Sequence, residues 1–74
     1  MNIRDQIIDI IDELNIITDQ DENIIDTDSI AFLSLIVRIE ETFGILFPNE
    51  FLDITVIQSI NDLEIVVNNL LPNR

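Results

Sequence analysis

A chain of 74 residues is a single small domain, near the size at which one core barely offsets the entropy of ordering the backbone. Fifteen acidic residues stand against three arginines, Arg4, Arg38 and Arg74; the formal net charge of −12 argues against binding a nucleic-acid backbone or an anionic membrane and predicts basic partners. With no Cys there is no disulfide or thiol chemistry, and although 47% of residues are hydrophobic their runs are short, which disfavours disorder and membrane insertion alike.

In chain order, the amino end Met1–Gln6 lacks the charged-then-apolar layout of a secretory signal, so a cytoplasmic location is expected. Ile3, Ile7, Ile10, Ile11 and Leu14 fall on one stripe and predict a first helix over residues 3 to 15, with Asn2 as N-cap and Asp5 three positions on. Residues 15 to 28 turn polar and acidic, and the short apolar anchors Ile16, Ile17, Ile24 and Ile25 predict a long loop pinned to the core at two points.

Phe32, Leu35, Ile36, Ile39 and Phe43 are spaced by three, one, three and four, so a second helix is expected from Ser29 to Phe43 with its whole stripe buried. Gly44, the only glycine, is the expected left-handed C-cap. Pro48 can open a short helix over 49 to 53. A final helix from Ser59, with Asp62 at capping-box spacing, carries Ile60, Leu63, Val66, Val67 and Leu70 on one face, and Pro72 limits its end. With no strand pair evident, the expected fold is all-α, a small four-helix bundle of three longer helices and one short one.

The inventory of reactive groups is narrow. With no His, Cys, Lys or Tyr, the chain lacks a neutral-pH general base of the common kind and any thiol or amine nucleophile. Ser29 would need a partner to take its proton, and Asp26 and Asp28 are too weakly basic in a hydrated loop, so the chain is not expected to be an enzyme. The acids around Asp19, Asp21, Asn23, Asp26 and Asp28 do not form a calcium-binding EF-hand, because Ile24 stands where that loop needs glycine and Ile30 where it needs a bidentate Glu. No metal site is expected. The second helix also bears Ile30, Leu33 and Val37 beside its buried stripe, and part of that strip is expected to be exposed; next to an acidic loop, such a strip suits partner docking.

The segment "DSIAFLSLIVRIEETFGILFP", Asp28 to Pro48, resembles the second helix of the acyl carrier and peptidyl carrier proteins: Asp-Ser-Leu/Ile, helically spaced apolar residues, Glu-Glu-x-Phe-Gly, then a loop ending in proline. The resemblance continues in register from Asp26 to about Val67 and covers the first helix loosely. It implies that Ser29 receives a covalent 4'-phosphopantetheine arm, and that Asp28 helps a phosphopantetheinyl transferase and its magnesium engage that serine. Ile30, Leu33 and Val37 match positions that touch partner enzymes, and Glu40 and Glu41 match the acidic pair that meets their basic patches. The arm's thiol would hold an acyl or aminoacyl cargo as a thioester, and the protein would be a substrate of other enzymes.

Two departures bear on the pathway. Fatty-acid carriers usually have glycine where this chain has Asp26 and an acid where it has Ser34. These favour a freestanding, monomeric carrier of a specialised biosynthetic route, of polyketide, nonribosomal-peptide or D-alanine-transfer type. Its partners would be the transferase, an adenylating or acyl-loading enzyme, and condensing or acyl-transfer enzymes. The alternative reading is an acidic helical interaction module with no covalent cofactor.

Overall fold

The computed structural model describes residues 2–25 and 27–71; Asp26, Pro72 and Arg74 lie outside them, with the roles expected of each. The described chain forms α1 (Ile3–Glu13), β1 (Ile17–Thr18), β2 (Ile24–Ile25), α2 (Ser29–Phe43), a one-turn 3-10 helix (Asn49–Phe51) and α3 (Ile60–Leu70). Ile7, Ile10 and Ile11 of α1 share a core with Phe32, Leu35, Ile36 and Ile39 of α2 and with Ile60, Leu63, Val66 and Val67 of α3. No polar side chain is buried among the described residues.

The four-helix bundle is therefore corrected on two counts. The segment after α1 is not a plain loop but an antiparallel hairpin, with Ile17 opposite Ile25 and Thr18 opposite Ile24. Its anchors alternate, Ile16 and Ile24 half-buried and Ile17 and Ile25 exposed, a period of two over too few residues to stand out in the sequence. The turn closes through Glu22 N–H to Asp19 C=O at 3.0 Å, and Glu22 takes a left-handed conformation at φ 66°, as a three-residue hairpin loop with a bulge requires. Second, the expected short helix shrinks to a single 3-10 turn with no buried residue, which cannot act as a bundle member.

Helix ends explain why the elements stop where they do. Asn2 accepts the Asp5 N–H at 2.8 Å, as its capping position requires. At the other end α1 closes two residues short of expectation, because Asn15 goes left-handed at φ 57° while its N–H reaches Asp12 C=O at 3.1 Å and the Ile16 N–H reaches Ile11 C=O at 3.0 Å, a Schellman closure. Gly44, at φ 67°, ends α2 in the same conformation.

The hairpin is joined to the start of α3. Ile24 N–H donates to Gln58 C=O at 2.8 Å, and Glu22 C=O accepts the Ile60 N–H at 2.9 Å, satisfying a first-turn amide that the helix cannot satisfy itself. Ser59 Oγ accepts the Asp62 N–H at 3.1 Å, while the Asp62 carboxylate reaches back one residue further than a capping box, to the Gln58 N–H at 2.9 Å. Arg4 of α1 completes the junction by pairing with Glu22 of the hairpin and, at 2.9 Å, with Glu64 of α3.

Phe43 is a further correction: at the last position of α2 it is half-buried and packs against the edge of the core, while Ile45 and Phe47, each 6% exposed, are buried within it. Ile39→Ala, at a position with no exposure, is expected to cost about 2–5 kcal/mol, and Phe43→Ala distinctly less. Urea denaturation of both variants checks this; equal losses would mean that the phenyl ring is core after all.

Candidate functional site

The site is built at the start of α2. Asp28 is extended, at φ −87° and ψ 175°, and its Oδ1 accepts the Ala31 N–H at 2.8 Å, so the acid that precedes the serine is the helix N-cap. The helix's own ladder begins with Phe32 N–H to Asp28 C=O at 2.9 Å, which leaves the amides of Ser29 and Ile30 ahead of it. Ser29 is the first residue of the helix and is exposed. A phosphodiester on its hydroxyl would meet first-turn N–H groups and the positive end of the helix dipole, worth about 0.3–1 kcal/mol at an exposed position.

Beside Ser29 runs a groove that the sequence did not reveal. Phe32 and Leu33 of α2 form one wall, Leu52 and Ile54 the other, and Asn49 and Asp53 supply polar groups. Leu52 and Ile54 are 37% and 39% exposed. They reach Ser29 because the chain reverses after the 3-10 turn, where Asp53 Oδ1 accepts both the N–H and the hydroxyl of Thr55, at 2.8 and 2.7 Å. The Thr55 N–H, followed by its hydroxyl, holds the Asp53 carboxyl below its ordinary value of 3.8.

Further along α2, the expected docking strip is on the surface. Ile30 is 77% exposed, Leu33 48% and Val37 49%. The two acids beside it differ. Glu41 is exposed, whereas Glu40 is half-buried and its Oε2 accepts the Phe47 N–H at 2.8 Å, so it braces the loop after α2 rather than standing free. Leu46 is the most exposed large apolar residue described, at 81%. Its exposure left no signal in the sequence, where Ile45, Leu46 and Phe47 form an unbroken apolar run; burial of its two neighbours turns it outward.

The acid cluster before the site is tied into the hairpin loop through Asp19. Asp19 Oδ1 accepts the amides of Asp21 and Asn23 at 2.9 and 3.0 Å, and Oδ2 the Asn23 side-chain amide at 3.3 Å; the carboxylate thus organises the hairpin loop. The Asn23 N–H does most to hold the Asp19 carboxyl below 3.8. Among the described residues no group of three acids could hold a metal ion, and no helix is long and apolar enough to cross a membrane. Comparisons with protein-family models, with curated proteins and with solved structures find no match.

Asp28→Ala is expected to destabilise the protein by roughly 1 kcal/mol and to fray the turn that carries Ser29, whereas Asp28→Asn keeps an acceptor and should stay within a few tenths of wild type. Equal losses in thermal melts would show that charge, not the cap, matters for folding. Asp19 titrates lower folded than unfolded, so its stabilising effect is present above 3.8 and is lost as pH falls through the lowered folded value. In an NMR titration its carboxyl carbon should therefore have a midpoint below 3.8, with the amide shifts of Asp21 and Asn23 following it; a midpoint at or above that value contradicts the hydrogen bonding described.

Proposed function

We propose that this protein is a carrier: its Ser29 is modified with a 4'-phosphopantetheine arm, and partner enzymes load and unload cargo on it. The observation that carries the reading is the placement of Ser29, exposed as the first residue of α2 with Asp28 folded back as its cap, in a chain with no His, Cys, Lys or Tyr to use that hydroxyl itself. A hydroxyl so presented is a substrate for another enzyme more readily than a nucleophile.

The residues present fit the group. Backbone amides at the head of α2 suit its phosphate, and the groove of Phe32, Leu33, Leu52 and Ile54, with Asn49 and Asp53 at its polar points, suits an arm that alternates aliphatic and amide segments. When bound, the arm supplies the thiol that the chain lacks, on which an acyl or aminoacyl cargo is held as a thioester. Asp28 fixes the turn that presents Ser29 and offers its outer oxygen to the transferase and its magnesium. Ile30, Leu33 and Val37 form the apolar contact for a partner, and Glu41 the charged one.

The polarity of the surface supports the same reading. Arg4 and Arg38, the cations among the described residues, are both paired internally, with Glu22 and Glu64 and with Glu13. The acids that remain therefore favour basic partners, namely the transferase, an adenylating or acyl-loading enzyme, and condensing or acyl-transfer enzymes. The departures at Asp26 and Ser34 point to a specialised pathway rather than fatty-acid synthesis.

Incubated with coenzyme A, magnesium and a promiscuous phosphopantetheinyl transferase, the protein is expected to gain the mass of one arm, and Ser29→Ala none. Intact-protein mass spectrometry reads the result. No gain on the wild type, or the same gain on Ser29→Ala, would reject the carrier reading and leave an unmodified interaction module.

A further inference from the structure

Glu22 stands where a hairpin loop of this kind favours glycine or asparagine. It takes φ 66°, and among the described residues the other non-glycine residue with positive φ is Asn15, a type that accepts this conformation readily. A glutamate does not favour such a turn, so the reason for its presence lies outside the turn. Its side chain pairs with Arg4 of α1, and Arg4 also holds Glu64 of α3 at 2.9 Å. The backbone is tied to the same place: Glu22 C=O accepts the Ile60 N–H, and Gln58 C=O accepts the Ile24 N–H.

Both chain segments that flank Ser29 run from this junction. On one side β2 ends at Ile25, whose C=O accepts the Thr27 hydroxyl at 3.1 Å, and Asp28 then caps α2. On the other side the Gln58 side-chain amide donates to the Thr55 C=O at 3.1 Å, and the segment it fastens carries Leu52 and Ile54, the far wall of the groove beside Ser29. Ile54, with Thr55 and Gln58, also faces Asn23 and Ile24 of the hairpin across a second hollow. Strands of two residues are too short to hold such an arrangement unaided.

We propose that Arg4 is a positioning residue for Ser29: by clamping Glu22 to Glu64 it locks the hairpin onto the head of α3, and the locked hairpin keeps the Asp28–Ser29 turn in the form that presents the hydroxyl. Arg4 lines no part of the groove and acts through the hairpin, by lowering the fraction of time for which that element is open. In this role it deepens the carrier reading, and rests on it only in taking modification of Ser29 to need the ordered turn.

Amide hydrogen exchange, followed by NMR on the full-length unmodified protein, tests the lock. Arg4→Met is expected to speed exchange at the Ile24, Ile60 and Ala31 amides by roughly 3-fold or more, and Arg4→Lys, which keeps the charge, to recover part of that loss. Val66→Ala, a core truncation in α3, should speed the amides inside the helices through global unfolding and leave those of Ile24, Ile60 and Ala31 near wild type. Glu22→Gly separates a lock from a mere turn: glycine suits φ 66°, so a residue that served the turn alone would give slower exchange on replacement, whereas loss of the pair with Arg4 makes it faster. Modification supplies a second readout. With coenzyme A, magnesium and a promiscuous transferase, Arg4→Met should raise the KM for the protein by at least ~2-fold, because open turns leave the competent population, while the KM for coenzyme A stays unchanged. An Ala31 amide indifferent to Arg4→Met, equal acceleration at Ala31 in Val66→Ala, slower exchange in Glu22→Gly, or an unchanged KM for the protein would each overturn the proposal. If the wild type accepts no arm, the carrier reading fails, and the exchange rates still decide whether Arg4 orders the turn.

Discussion

Everything in this molecule depends on one shared apolar core, to which each helix contributes a single face. Ile7 and Ile11, Leu35 and Ile39, and Leu63 and Val67 are buried to 2% exposure or less, in a chain whose formal charge of −12 opposes compaction. Apolar burial has to outweigh both that repulsion and the entropy of ordering the backbone, and a domain of this size has little to spare. The core therefore takes every apolar face it can enclose. What it cannot enclose is informative: α2 has apolar residues on more of its circumference than α1 and α3 can cover, and Ile30, Leu33 and Val37 are left outside.

The second constraint is the polar backbone at the ends of the elements. The hairpin and α3 solve it jointly, since the Glu22 carbonyl takes the Ile60 amide and the Gln58 carbonyl takes the Ile24 amide. Arg4 links α1 to the same place through Glu22 and Glu64. Two-residue strands are too short to stand alone. Here they persist because this junction, and the Asp19 carboxylate within the turn, hold them from both sides.

At the head of α2 the same economy of caps has a chemical consequence. Asp28 is extended so that its side chain can reach the Ala31 amide, and that geometry places the next residue, Ser29, at the open first turn. At the tail, Glu40 closes the loop to Phe47 and Gly44 ends the helix, which turns Leu46 outward between two buried neighbours. The cap and the brace thus set where the open first turn of α2 and the exposed Leu46 meet solvent.

Read alone, the sequence determined the three helices, their caps at Asn2, Gly44 and Ser59, most of the core and the position of Ser29, because helical period and capping are local rules that leave their pattern in neighbouring residues. It also singled out the exposed strip on α2. Tertiary structure alone decided the hairpin, whose four strand residues carry too little pattern to read and whose hydrogen bonds are completed by α3. It decided that Phe43 is only half-buried while Ile45 and Phe47 enter the core, and that Glu40 is a brace while Glu41 is exposed. It also decided the groove beside Ser29, since Leu52 and Ile54 come to α2 from a later segment of the chain. Contacts between distant residues depend on how whole elements pack, and no local spacing records that.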